Sequence, residues 1–268
     1  MRTRIFPDPE ALGDHLAERL LREIAQAERR GRRFLLGCPT GRSPLPTYRA
    51  MARRLQARPQ SLVHLVLVMM DEYLVETPEG LAYAPDEAHF SCRGFCEREM
   101  RAPWNAVLAP ELRLPAENAW FPDPASPENF DDRIRAAGGV DFFILASGAS
   151  DGHVAFNPAS TPREAGTRVM RIAEDTRRDN LATFPAFRSL DEVPRWGVTA
   201  GVATIAGAKA AAMILTGAGK REAFRRIGAA EAYAPGWPAT VIAEIREAEL
   251  LADAAAADLE ARAAMPGD

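Results

Sequence analysis

Apolar residues return every fourth position near the start of the chain, at Leu12, Leu16, Leu20 and Ile24. That spacing predicts an amphipathic helix with one face on a core. Asp8 is placed to cap it, Pro9 suits its first turn, and Gly31 closes the run. A short apolar run follows, Phe34-Leu35-Leu36, and breaks into Gly37-Cys38-Pro39-Thr40-Gly41-Arg42-Ser43-Pro44 before a second helix over Leu45 to Leu55. Leu62 to Met70 is apolar almost throughout, as in a strand covered on both faces, and ends at Asp71-Glu72-Tyr73. Thr77 to Ala88 reads as loop, and Phe90 to Arg98 as helix.

The same alternation runs through the second half. Ser126-Pro127 opens a helix reaching about Ala137, and Val140 to Ala146 is a buried strand ending in Ser147-Gly148-Ala149-Ser150-Asp151-Gly152-His153. Glu174 to Arg188, rich in Arg and poor in Gly, reads as a helical lid segment. Strands near Trp196 to Thr199 and Ala211 to Leu215 flank a helix at Val202 to Ala208. Gly217-Ala218-Gly219-Lys220 then opens a further helix, and a strand near Glu249 to Leu251 precedes an Ala-rich helix. Strands alternating with helices predict an α/β fold: an open, mostly parallel, doubly wound sheet with helices on both faces, in a single domain over residues 1–268. In such sheets ligands bind beyond the carboxyl ends of the strands, where all the polar turns fall.

Composition narrows the function. The 268 residues carry a net charge of −4, with 47% hydrophobic and 26% charged, the balance of an ordinary globular chain. Mild acidity offers no field for nucleic acid, although local dipoles can still hold a small anion. The N-terminal residues lack the apolar stretch of a signal peptide, and the longest apolar tract, Gly201 to Gly219, is interrupted by Lys209 and several glycines. No membrane association is expected. Three cysteines, Cys38, Cys92 and Cys96, without framework spacing suit a reducing cytoplasm. Only two of the 33 basic residues are lysines, Lys209 and Lys220, which marks them as places where a compact ammonium can be needed.

Three strand-end turns offer chemistry. The first, Gly37 to Ser43, is one residue short of a P-loop and has Arg42 where the lysine belongs, so nucleotide hydrolysis is disfavoured. Its backbone N–H groups, with the Thr40 and Ser43 hydroxyls, still suit an anion. In the second, Asp71 at the mouth of an apolar strand is partly desolvated, which makes it a usable base near neutrality or else a simple cap. The third pairs Asp151 with His153, a carboxylate beside an imidazole suited to proton shuttling. Ser147 and Ser150 lie close, but without the nucleophile elbow of a serine hydrolase, and the turn has too few ligands for zinc. His15 and His64 lie inside predicted elements and read as structural.

Together these turns resemble the glucosamine-6-phosphate deaminase family, which shares its fold with the 6-phosphogluconolactonases. The resembling stretches are Leu36 to Pro44, Met70-Asp71-Glu72-Tyr73, and Asp151-Gly152-His153-Val154-Ala155-Phe156-Asn157. They are followed by Val198 to Gly201, Gly217 to Lys220, Trp237-Pro238-Ala239 and Leu251-Ala252-Asp253. Tyr73 and the Val154-Ala155-Phe156-Asn157 wording side with the deaminase branch. The resemblance implies a Rossmann-like fold and a sugar-phosphate enzyme that isomerises and deaminates an amino-sugar 6-phosphate. It implies Asp71 as the base between C2 and C1, His153 in ring opening with Asp151 in its proton network, and Thr40, Gly41, Arg42, Ser43 and Lys220 on the phosphate. It implies no metal or redox cofactor, and a homo-oligomer is compatible with it. A lactone hydrolase and a sugar-phosphate-binding module without catalysis are the alternatives. Two departures stand out. Pro158 replaces a glutamate that helps the histidine, with Glu164 a distant substitute; and Ala182 falls where an arginine is expected, leaving Arg177, Arg178 or Arg188 as stand-ins.

Overall fold

A computed structural model describes residues 1–258, the Ala182 side chain excepted. The chain opens with β1 (Arg2–Phe6), whose polar sequence gives no strand signal, and enters α1 (Pro9–Arg29). The Asp8 carboxylate accepts from the Ala11 N–H at 2.7 Å and caps that helix. Leu12, Leu16, Leu20 and Ile24 are buried, as their spacing requires. β2 (Phe34–Cys38), α2 (Leu45–Ala57) and β3 (Leu65–Met69) follow the expected order.

After Met70 the chain leaves the first sheet and starts another. β4 (Asp71–Thr77) turns back through β5 (Gly80–Tyr83), in the stretch the sequence presented as loop. Gly80 makes that turn at φ +122°, a conformation few other residues adopt. Helix α3 (Cys92–Phe95) continues through a π-helical stretch (Cys96–Arg101) into α4 (Ala102–Ala106). Then come β6 (Ala119–Trp120), α5 (Glu128–Ala136), β7 (Phe142–Leu145), β8 (Arg168–Arg171), α6 (Glu174–Thr183), β9 (Trp196–Thr199), α7 (Val202–Ala206), β10 (Ala210–Leu215), α8 (Arg221–Gly228) and β11 (Glu247–Asp253). Residues 254–258 form a turn, and the rest of the expected Ala-rich helix lies outside the described residues.

The larger sheet has the order β1-β11-β10-β7-β2-β3-β6, and each of its pairings is parallel. Alternate side chains sort to its two faces. Leu36, Leu67, Phe142 and Ile214 pack with Leu16, Leu20 and Tyr48 of α1 and α2. Leu35, Val66, Phe143 and Met213 pack with Ile134, Ile205 and Ile227 of α5, α7 and α8. Burial on both faces explains the unbroken apolar runs.

The smaller sheet, β5-β4-β9-β8, is antiparallel and was not evident from the sequence. Its strands are short and mix polar with apolar residues, and β4 follows β3 with only Met70 between them. In the larger sheet the order reverses between β2 and β7: β3 and β6 lie on one side, and β10, β11 and β1 on the other. A crevice opens at such a reversal. Among the described residues no helix is long and apolar enough to cross a membrane.

Candidate active site

A cleft of about 130 Å³ lies at that reversal, lined by the turn after β2, the start of β4, the turn after β7, the face of α6 and Lys220. Thr40, Gly41, Arg42, Ser43, Asp71, His153 and Lys220 all line it. Asp151 stands directly behind His153. Residues from four distant stretches therefore share one cavity.

The turn after β2 is shaped by Gly41 at φ +88°, and α2 begins immediately beyond it. Among the described residues no backbone carbonyl accepts from the N–H groups of Gly41, Arg42 or Ser43, so these donors and the helix N-terminus stay available to an anion. Arg42 is exposed at the rim. Lys220 comes from a short 3₁₀ turn (Ala218–Lys220) whose preceding Gly217 N–H donates to both Asp253 carboxylate oxygens, at 2.9 and 3.1 Å. Its Nζ donates to the Ser147 carbonyl at 2.5 Å. Burial lowers its pKa, the Asp179 carboxylate acts against that, and Arg42 adds to the lowering.

Asp71 is the first residue of β4, opposite Thr199 of β9, and is 7% exposed. Burial raises its pKa to about 7; the Cys92 thiol, 3.4 Å from Oδ1, and His153 both pull it down, and Glu72 pushes it up. Near neutrality it is poised between acid and base. Glu72 is fully buried and does something different. Its carboxylate accepts from the N–H groups of Tyr73, Cys92 and Arg93 at 2.7–2.9 Å and from the Ser91 hydroxyl at 3.1 Å. It therefore anchors the start of α3 beside Asp71.

His153 Nδ1 lies 2.7 Å from Asp151 Oδ1, which also accepts the His153 N–H, while Thr176 of α6 donates to Asp151 Oδ2 at 3.0 Å. Burial raises the Asp151 carboxyl, but the bonds from His153 and Thr176 outweigh it and hold it at about 2. Asp151 thus stays a carboxylate that fixes the imidazole. Gly152 turns at φ +66°, and a Cβ there would lie 2.2 Å from the Trp237 ring. No residue with a side chain fits. The Trp237-Pro238-Ala239 stretch acts here, since the Ala239 N–H also donates to the Gly152 carbonyl at 2.9 Å.

The two departures in the sequence resolve differently. Pro158 brings no carboxylate, and Glu164 is exposed and off the cleft. The arginine stand-ins do not reach it either. Arg177 is buried against the carbonyls of Leu190 and Val193, Arg178 pairs with Glu174, and Arg188 pairs with Glu192. Instead α6 gives the cleft Asp179, Asn180 and Thr183, none of which had a sequence signal. Asp151, His153 and Asp179 form a group whose carboxylate and imidazole atoms all lie within 4.8 Å of one another. Asp151 engages Nδ1 at 2.7 Å, so a second carboxylate, Asp179, stands close to an imidazole that is already paired. His15 bonds Arg4, and His64 bonds the Ile24 carbonyl, as structural residues do. Lys209 pairs with Asp141, away from the cleft.

Known proteins point the same way. A glucosamine-6-phosphate deaminase of Rhodococcus jostii (strain RHA1) is 36% identical over 225 residues, 83% of this chain and 80% of its own. Another, of Shouchella clausii (strain KSM-K16), is 29% identical over 256 residues, 93% of this chain and 94% of its own. Among solved structures, a monomeric glucosamine-6-phosphate deaminase shares the fold with a TM-score of 0.82 at 23% identity, covering 97% of this chain and 100% of its own. A 6-phosphogluconolactonase from Thermotoga maritima does so at 0.64 and 18%, covering 94% and 98%. The family described as glucosamine-6-phosphate isomerases/6-phosphogluconolactonase matches residues 7–252, and this chain belongs to it.

Proposed function

We propose that the chain isomerises and deaminates a hexosamine 6-phosphate, releasing ammonia and a ketose 6-phosphate. One observation carries the reading: a carboxyl held near pKa 7 and a carboxylate-bound imidazole line the same cleft as Lys220 and the open turn after β2. The phosphate sits on the N–H groups of Gly41, Arg42 and Ser43, the Thr40 and Ser43 hydroxyls, and the Lys220 ammonium. His153 takes the proton of the anomeric hydroxyl and returns one to the ring oxygen, so that the C1–O5 bond breaks and a C1 aldehyde forms. Asp71 then removes the C2 proton and delivers it to C1 while one amino proton passes to O1, leaving a C1 hydroxymethyl group and an imine at C2. Water adds to that imine and ammonia departs, giving the ketone.

Every step moves protons or water, and the scheme calls for no metal or redox cofactor. Free thiols at Cys38, Cys92 and Cys96 suit a cytoplasmic setting. The deaminase relatives at 29–36% identity support the amino-sugar substrate over the lactone. Purified protein with glucosamine 6-phosphate is expected to release ammonia and ketose phosphate in equal amounts in a coupled assay, and to leave 6-phosphogluconolactone at its spontaneous rate of hydrolysis. Lactone turnover without ammonia release from any amino-sugar phosphate would reverse the assignment. Tight sugar-phosphate binding in calorimetry with no turnover would leave only a binding module.

A further inference from the structure

Asp179 is the carboxylate in the cleft that the proposed chemistry leaves without work. It projects from α6, lines the cavity, and has an oxygen within 4.8 Å of both a His153 ring nitrogen and an Asp151 oxygen. It is held there by the turn that carries Asp151: the Ala149 N–H donates to Oδ2 at 3.1 Å, and the Ser150 hydroxyl donates to Oδ1 at 3.2 Å. Thr176, one turn earlier on α6, bonds Asp151. One helix therefore steadies the first carboxylate and supplies a second one beside the imidazole.

We propose that Asp179 is a positioning residue for His153, a second carboxylate that stabilises the imidazolium formed midway through ring opening. The inference rests on the proposed ring-opening chemistry. In that step the imidazole gains the anomeric proton before it gives one to the ring oxygen, so it is briefly charged on both nitrogens. Asp151 faces Nδ1. A second negative charge within 4.8 Å of the ring favours the same charged state. Nothing is consumed: the proton taken from O1 is balanced by the proton given to O5. The charged groups facing this pair from other elements are Asp71 at the start of β4, Arg42 after β2 and Lys220 before α8. Of these, Lys220 interacts with both Asp179 and Asp151, which hold its pKa up against burial.

The decisive experiment removes the charge and keeps the shape. Asp179→Asn keeps an acceptor oxygen for the Ala149 N–H, and its amide can donate to the Ser150 hydroxyl. The His153 ring is followed by NMR through a pH titration of the free protein, so the readout does not depend on any substrate. The midpoint of His153 is expected to fall by at least half a pH unit, and kcat by about tenfold to hundredfold, with KM for glucosamine 6-phosphate within about threefold. Ser150→Ala, which loosens the turn and leaves the charge, is expected to leave the midpoint in place. Asp179→Ser gives the same readout should the Asn variant fail to fold. An unmoved midpoint in the charge-removing variants overturns the proposal. So does a fall in KM with kcat unchanged, which would make Asp179 a competitor of the phosphate at Lys220. Turnover that a chelator abolishes and a divalent cation restores would make the three residues cation ligands instead. If the parent protein turns over no amino-sugar phosphate, the function assignment fails while the titration still decides the role of Asp179.

Discussion

Asp71→Asn separates what the base costs the fold from what it does in the reaction. Burial holds the Asp71 carboxyl at about 7 in the folded chain, against an ordinary value of 3.8. The folded state therefore binds this proton more tightly than the unfolded state. No penalty exists below pH 3.8; it grows as pH rises toward 7, and above that it reaches about 4 kcal/mol. Asparagine keeps the shape and an acceptor for the Cys92 thiol, but it has no charge to lose. The variant is expected to be the more stable protein at pH 8, with its advantage over the parent larger there than at pH 5 by about 2.5 kcal/mol. Turnover should drop about 10²- to 10⁴-fold with sugar-phosphate binding nearly unchanged. Urea unfolding at both pH values, beside steady-state kinetics and calorimetry, measures all three. A variant that is less stable at pH 8, or whose advantage does not grow with pH, would refute the account of Asp71 as a buried carboxyl held near neutrality. Equal loss of binding and turnover would make it structural.

Three more outcomes follow from the geometry. Lys220→Ala removes an ammonium from the anion end, so KM for the sugar phosphate should rise about tenfold to hundredfold, and inorganic phosphate should weaken as a competitor. Glu72→Gln turns an amide toward donors that now meet a carboxylate; urea unfolding should show a loss of about 3 kcal/mol, with activity falling as α3 loosens beside Asp71. Gly152→Ala places a methyl 2.2 Å from the Trp237 ring at φ +66°, and a stability loss of about 3 kcal/mol or more should appear as a lowered Tm.

The parallel sheet was legible because burial on both faces writes itself as unbroken apolar runs, as in Leu65–Met69 and Ala210–Leu215. The turns were legible because glycine and carboxylate at strand ends are local signals, and Gly41, Asp71 and His153 do meet in one cleft with Asp151 bonded behind the imidazole. The antiparallel sheet was not, since β5 and β8 each have only four residues and β4 pairs with β9 from far along the chain. β1 was hidden by its arginines, which suit an edge strand. Asp179 was invisible for another reason. It stands in a polar, weakly amphipathic helix, among several acidic and basic neighbours, and only the packing of α6 along the cleft distinguishes it from the rest.

The adjacency of Asp71 and Glu72 also constrains how this protein can change. Neighbouring side chains leave a strand in opposite directions, so one acid of the pair lines the cleft and the other ties down α3. Their order is thus a message in two letters that cannot be transposed: reversing them sends the longer arm into the cleft and leaves the shorter one short of the helix start. Slipping the strand by one residue does the same damage. Variation can reach the rim at Arg42 freely, while this dipeptide is held from both sides at once.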